Sequence, residues 1–303
     1  MDAPSEYRVI ARNTATASAN KIHDDTVARR YGFAGGLVPG VDVYAYMAHV
    51  PAAGWGLEWL ARGSLLARFL APVYEGDEVA VVPGEVSSTA GGTVVPLEVR
   101  AGAGRICAVG EATLPAGADS EAALPAGPDG EPPAGRWAGI DRAAGPAGFR
   151  EDAPEASPDT LRPGTPLALA PHGFHADRAG DYLDEVGERL SLFAAERVAH
   201  PGWLLRDANH VLSTNVALGP WIHVESAVRH HGLVRDGDVV DARARVVREW
   251  GRKGHRFVEL DVGLFTGADR LVAHVSHTAI YRPRAAETGD RRAVTRSPGG
   301  DLS

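Results

Sequence analysis

The stretch Asn20-Lys21-Ile22-His23-Asp24-Asp25-Thr26-Val27-Ala28, followed by Gly32-Phe33 and then Val38-Pro39-Gly40, decides how this chain is read. It sets one histidine just ahead of a short amphipathic segment and one glycine just ahead of an apolar helix. An imidazole titrates near neutrality and can both take and return a proton. Open N–H groups at a helix start stabilise negative charge developing on a carbonyl oxygen. A glycine there lets a ligand come close to the backbone. The pairing points to an acid/base site facing a carbonyl-binding helix N-terminus.

The rest of the chain bounds what such a site can serve. At 303 residues and 44% hydrophobic, it can form one large domain or two ordinary ones with real cores. The net charge is −8, Lys21 and Lys253 are the only lysines, and no basic run carries interleaved aromatics, which argues against nucleic acid as a partner. Small metabolites or proteins are the expected partners. Cys107 is the sole cysteine, so an internal disulfide framework and a Cys-based zinc site are excluded. The first residues lack the apolar core of a signal peptide, and the most apolar stretch, Ser64 to Tyr74, is interrupted by Arg68. The expectation is a cytoplasmic protein with no membrane contact.

The chain also repeats itself. Glu75-Gly76-Asp77-Glu78-Val79 returns as Asp236-Gly237-Asp238-Val239-Val240, Pro39-Gly40 as Pro201-Gly202, Gly32-Phe33 as Leu192-Phe193, and Arg105 to Ala108 as Arg270 to Ala273. These landmarks keep nearly one offset, the mark of a duplicated module. Copy one is expected to hold a strand at Tyr7 to Ala11, a helical turn region at Asp24 to Tyr31 and an apolar helix at Val41 to Val50. Copy two matches it with a strand at Pro166 to Ala170, helical turns at Asp181 to Phe193 and a helix at Trp203 to Thr214. Strands at Ile222 to His231, Val239 to Glu249, His255 to Phe265 and Leu271 to Tyr281 then follow between turn signals. One apolar helix followed by four antiparallel strands is what a hotdog module needs. The predicted class is α+β, a double hotdog of two repeats, each with an antiparallel sheet wrapped around a central helix. The domain reading is 1–115 for the first hotdog, 116–162 for a Pro/Ala/Gly-rich acidic linker, 163–284 for the second hotdog and 285–303 for a mobile tail.

The opening stretch resembles the MaoC-like (R-specific enoyl-CoA hydratase and dehydratase) family. That signature runs Asp-x-Asn-Pro-aliphatic-His-x-Asp, three residues, Ala, then Gly-Phe and a Gly heading a long helix. Asn20, Ile22, His23, Asp25, Ala28, Gly32, Phe33 and Gly40 fit it. Ser18 stands where the family has its catalytic Asp, and Lys21 where it has proline. The resemblance implies a lyase acting on an acyl group carried as a coenzyme A or carrier-protein thioester. His23 would be the general base, Asn20 would orient water or the imidazole, and the Gly40 amide would polarise the thioester carbonyl. No cofactor is implied, because the thioester already acidifies the alpha position.

Ser18 divides the readings, since a hydroxyl cannot act as a carboxylate base. His23 works alone with Ser18 positioning water; or the pocket serves elimination, isomerisation or intramolecular conjugate addition on a conjugated carbonyl; or the site only binds. A hotdog thioesterase is a further class and would need Asp42 or Asp207 as a carboxylate near a helix start. Copy two carries Leu183 at the place of His23, so one site per chain is expected. Asp42, Tyr44 and Asn209 are candidate pocket residues, and Arg252 with Lys253, the densest basic patch, are candidates for coenzyme A phosphates. The Arg206 to His210 polar residues otherwise meet solvent or the seam of a homodimer. No metal site is expected, since His172 and His175 lack carboxylate partners at known spacing and adjacent His230 and His231 point to opposite faces of a strand.

Overall fold

The computed structural model describes residues 4–117, 136–141, 145, 146, 148, 150–267 and 269–285. The N-terminal half holds β1 (Tyr7–Ile10), a 3-10 turn (Lys21–His23), α1 (Asp25–Arg30), α2 (Gly40–Arg62), β2 (Ser64–Phe69), β3 (Glu78–Pro83), β4 (Ser87–Thr89), β5 (Gly92–Ala101) and β6 (Arg105–Pro115). The C-terminal half holds β7 (Pro166–Gly173), α3 (Ala176–Glu185), α4 (Leu192–Glu196), α5 (Pro201–Asn215), β8 (Ile222–His230), β9 (Val239–Arg252), β10 (His255–Thr266) and β11 (Arg270–Arg282). Among the described residues, eleven strands form one antiparallel sheet in the order β1-β3-β5-β6-β2-β8-β11-β10-β9-β7, with β4 beside β5. The halves join where β2 pairs with β8, Ser64 opposite Arg229 through Arg68 opposite Glu225.

Alternation sets which face of each strand is buried. Along β11, Val275, His277, Ala279 and Tyr281 are buried while the residues between them are partly open. Two helices cover the inner face: α2 lies against β1, β2, β3, β6 and β8, and α5 against β7, β9, β10 and β11. They also pack on each other. Glycine makes that approach possible, because a Cβ on Gly202 would sit 2.7 Å from the Ala45 Cβ. From Val41 to Val50 only His49 is not fully buried, as expected of a helix covered all round. The expected end at Val50 is too early: α2 continues through a buried Pro51 and turns at Gly56, whose φ of 58° suits glycine, with Trp55, Trp59 and Leu60 buried around the bend.

The two halves share their hydrogen bonds. Ala11 N donates to Asp77 O and Gly76 N to Ala11 O; Phe174 N donates to Asp238 O and Gly237 N to Phe174 O. Val38 N donates to Val73 O, and Ala199 N to Val234 O. Gly76 and Gly237 both take a φ near 80–87°. This register pairs Gly40 with Pro201 and Pro39 with His200, one residue away from the Pro-Gly match read in the sequence.

Of the segment expected to be a linker, residues 116, 117, 136–141 and most of 145–162 are described, and some of them are packed. Trp137 is buried edge-on to Phe265, and Ala156 and Leu161 lie in the main core. The expected tail falls, from residue 286 onward, outside the described residues. No helix among the described residues is long and apolar enough to cross a membrane.

Candidate functional site

His23 ends the 3-10 turn, and several local bonds fix it there. Asn20 caps the turn through its side-chain oxygen, which accepts from Ile22 N at 3.3 Å. Asp24 caps α1 by accepting from Val27 N, and Asp25 holds the returning loop by accepting from Gly36 N at 2.8 Å. Asn13 donates to the His23 carbonyl at 2.9 Å. A Cβ on Gly36 would fall 2.1 Å from that same oxygen, so only glycine lets the loop close.

The ring orientation follows from one contact. Nδ1 lies 2.7 Å from the Leu37 carbonyl, which can only accept, so Nδ1 carries the proton and neutral His23 has a bare Nε2. The Asn20 carboxamide nitrogen lies 3.3 Å from Nε2. Burial lowers the pKa of His23, partly offset by the bond to Leu37, so the imidazole is uncharged at neutral pH. Asn20 is itself clamped from the other half of the chain: it donates to Trp221 O at 3.0 Å and accepts from Trp221 N at 3.1 Å.

Of the cavities that His23 borders, two also take in Asn20 and Trp221. The apolar one, of about 280 Å³, is walled by His23, Phe33, Val43, Phe69, Trp221 and Ile280 among others, and it reaches Gly40. The other, of about 540 Å³, is more polar and holds Ser18, Asp42, Arg206 and His210. Asn20, His23, Pro39, Asn209 and Trp221 border both. At the head of α2, Asp42 N and Val43 N donate to Pro39 O, while the amides of Gly40 and Val41 have no acceptor among the described residues. A neutral base and an open helix start thus share the apolar chamber.

The corresponding start of α5 is closed. Pro201 has no N–H, and the Gly202 amide donates to His200 Nδ1 at 3.0 Å. Glu188 sits 3.4 Å from His200 Nε2 and 2.7 Å from His49 Nδ1. Burial alone would raise the Glu188 carboxyl, but the two histidines outweigh it and hold it far below the usual range. His200 is therefore a helix cap.

The other sequence candidates separate. Ser18 Oγ accepts from Asn20 N at 3.0 Å and faces the polar cavity, so it supports the loop carrying the motif. Asn209 borders both cavities, with its oxygen buried and lacking a partner among the described residues. Tyr44 is fully buried and absent from both linings, which corrects the expectation that it contacts substrate. Asp42 is held by Arg206 at 3.0 Å and Thr14 at 2.6 Å; burial pushes its carboxyl up against their pull. Asp207, expected to meet solvent or the pocket, is buried and bonded to His172 at 3.0 Å. Arg252 and Lys253 are exposed at the β9–β10 turn, and His255 just beyond them borders the apolar cavity. His230, read as a solvent or sheet position, is buried edge-on to Trp59.

Sequence reading missed Phe69, Trp221, His223 and Ile280, which the β2–β8 seam and its neighbours bring to the cavity. A signal existed only for Trp221, an aromatic set between Gly219-Pro220 and a strand.

Comparison with protein-family models and with curated protein sequences finds no match. Solved structures do match. A protein described as a MaoC-like dehydratase aligns at a TM-score of 0.58 and 14% identity, over 92% of this chain and 98% of its own. A Chloroflexus aurantiacus J-10-fl protein described as a MaoC domain dehydratase aligns at 0.60 and 11%, over 94% and 97%. A conserved Mycobacterium tuberculosis protein described as having a double hotdog fold aligns at 0.56 and 15%, over 92% and 96%. Across nearly its whole length, the chain therefore has the hotdog fold of these proteins.

Proposed function

We propose that the chain is a duplicated hotdog enzyme of the MaoC-like type that hydrates an enoyl thioester, or dehydrates the 3-hydroxyacyl thioester, with His23 as its acid/base. The observation that carries this is a neutral imidazole, with its proton on Nδ1 and its unprotonated Nε2 held by a long 3.3 Å contact from Asn20, in the wall of the cavity that the open head of α2 also reaches. Once water replaces the long Asn20 contact at Nε2, that nitrogen takes a proton from the water as the water oxygen bonds to the beta carbon. The double-bond electrons pass to the thioester oxygen, beside the Gly40 amide, and the imidazolium returns its proton to the alpha carbon. Each atom of the water is accounted for, and the same steps reversed give dehydration. Asn20 and Ser18 hold the loop, and the chamber beyond Phe69 and Val73 takes the acyl chain. Arg252 and Lys253, near His255 at the cavity wall, suit the phosphates of coenzyme A.

The duplication reading rests on the shared hydrogen bonds of the two halves, and the single site on the closed start of α5. Thioester hydrolysis is less well served. Its two candidate carboxylates are tied to Arg206 and His172.

The test is loss or gain of conjugated-enoyl absorbance on short and medium trans-2-enoyl-CoA thioesters, with mass spectrometry of the products. Wild type should add one water, His23→Ala should lose at least 100-fold in rate, and Ser18→Asp should retain or raise it. Free coenzyme A as the main product would shift the assignment to a thioesterase. A product of unchanged mass would shift it to isomerisation or cyclisation.

A further inference from the structure

The Gly40 amide has a neighbour that the proposed chemistry does not yet use. His223, the second residue of β8, borders the apolar cavity and lies against the first residue of α2. A Cβ placed on Gly40 would fall 2.8 Å from His223 Nδ1. That nitrogen is buried and has no hydrogen-bond partner among the described residues. A buried polar atom left open calls for an explanation other than packing, which a phenyl ring would satisfy.

The far side of the ring is tied into a relay. His223 Nε2 lies 2.8 Å from Ser226 Oγ, and Ser226 Oγ lies 3.0 Å from His277 Nδ1. One hydroxyl proton can serve only one of the two imidazoles. When His277 donates to Oγ and the hydroxyl donates to His223 Nε2, neutral His223 keeps its remaining proton on Nδ1. Burial and the nearby His277 ring push the pKa of His223 far down, and burial pushes His277 down to about 3, so both rings stay uncharged.

We propose that His223 Nδ1–H is the second donor of a two-point carbonyl site, paired with the Gly40 amide, in the tautomer that the Ser226–His277 relay on its far side makes available. The inference rests on the thioester reading above and extends it: copy two, which lacks the histidine motif, contributes a carbonyl donor to the site of copy one. An arriving oxyanion selects the tautomer with its proton on Nδ1. Glycine at position 40 then has a second reason, because any side chain there would push this ring away.

Two variants separate the role from packing. In His223→Asn the carboxamide nitrogen reaches the place of Nδ1; in His223→Gln it reaches the place of Nε2 and leaves the Gly40 side empty. The probe is crotonyl-CoA labelled with 13C at the thioester carbonyl, read by difference infrared spectroscopy, alongside kcat and KM for hydration. Wild type and His223→Asn should shift the carbonyl stretch to lower frequency on binding. His223→Gln should lose much of that shift and about 100-fold or more in kcat, with KM changed far less. The proposal is overturned if His223→Gln keeps the wild-type stretch and kcat, or if the Asn and Gln variants fail equally. Binding with the shift but no turnover sinks the hydratase reading and leaves the donor pair standing. Wild type that neither binds nor shifts crotonyl-CoA overturns both.

Discussion

A single carbonyl sets the protonation of His23. Because Leu37 O accepts a hydrogen bond from Nδ1–H, the free lone pair is on Nε2, and burial keeps the ring from charging. A lowered histidine pKa means that the base form predominates at neutral pH and is lost as pH falls through that lowered value. The expected profile of kcat/KM is flat through neutrality, with an acid limb below the ordinary imidazole value of about 6.5. An acid limb at or above that value would mean that His23 is not the titrating base. That His23, Asn20 and Gly40 would lie close together was legible in the sequence because all three fall within one short stretch. His223 was not, since it lies about 200 residues away along the chain and arrives through strand pairing, for which no short-range pattern exists, and for Trp221 the only hint was an aromatic following Gly219-Pro220. Asp207 was misread for a related reason: its partner His172 is on β7, and helix position alone could not show a buried pair.

At the level of elements, the buried Glu188 ties together pieces that would otherwise only touch. It accepts from Leu190 N at 2.7 Å, bonds His49 of α2, and sits beside His200, the cap of α5. Tyr7 of β1 stacks on His49 at 3.7 Å, so the knot reaches the sheet edge as well. Replacing Glu188 by Ala leaves the His49 imidazole without its acceptor and removes the carboxylate beside the buried His200, and is expected to cost about 3 kcal/mol in urea unfolding, with Glu188→Gln costing less because its oxygen still accepts. The carboxyl has its pKa depressed in the folded state, so its contribution is present above the unfolded value of about 4.3 and fades as pH falls toward the folded one. The gap between wild type and Glu188→Ala should narrow accordingly in acid; a gap independent of pH would mean that only packing was lost. The helices themselves were legible from their apolar runs, but their limits were not. Pro51 reads as a stop, yet α2 passes it because the surrounding core holds both flanks. The Pro-Gly match misplaced α5 by one residue because its first helical residue is Pro201, where α2 has Gly40.

For the whole molecule, the β2–β8 seam and the contact of α2 with α5 decide whether the halves are separable domains. The sequence read as two modules joined by a linker, which suggests independence. The structure runs one sheet through both, and Leu65 and Ala67 of β2 are fully buried beside β8. Cutting the chain between the halves would bare the β2 edge, a row of unpaired N–H and C=O groups next to apolar side chains, together with the face of α2 that meets α5. It would also remove Trp221 from Asn20 and so release the loop that carries His23. Residues 1–117 made alone should therefore aggregate or self-associate through the open edge, and residues 118–303 should fare no better. Made together, they should elute as one complex in size-exclusion chromatography and recover enoyl-thioester turnover. A monomeric fragment 1–117 that unfolds cooperatively by itself would show that the seam joins two finished domains, and the claim that the site is built by both halves would then have to stand on Trp221 and His223 alone.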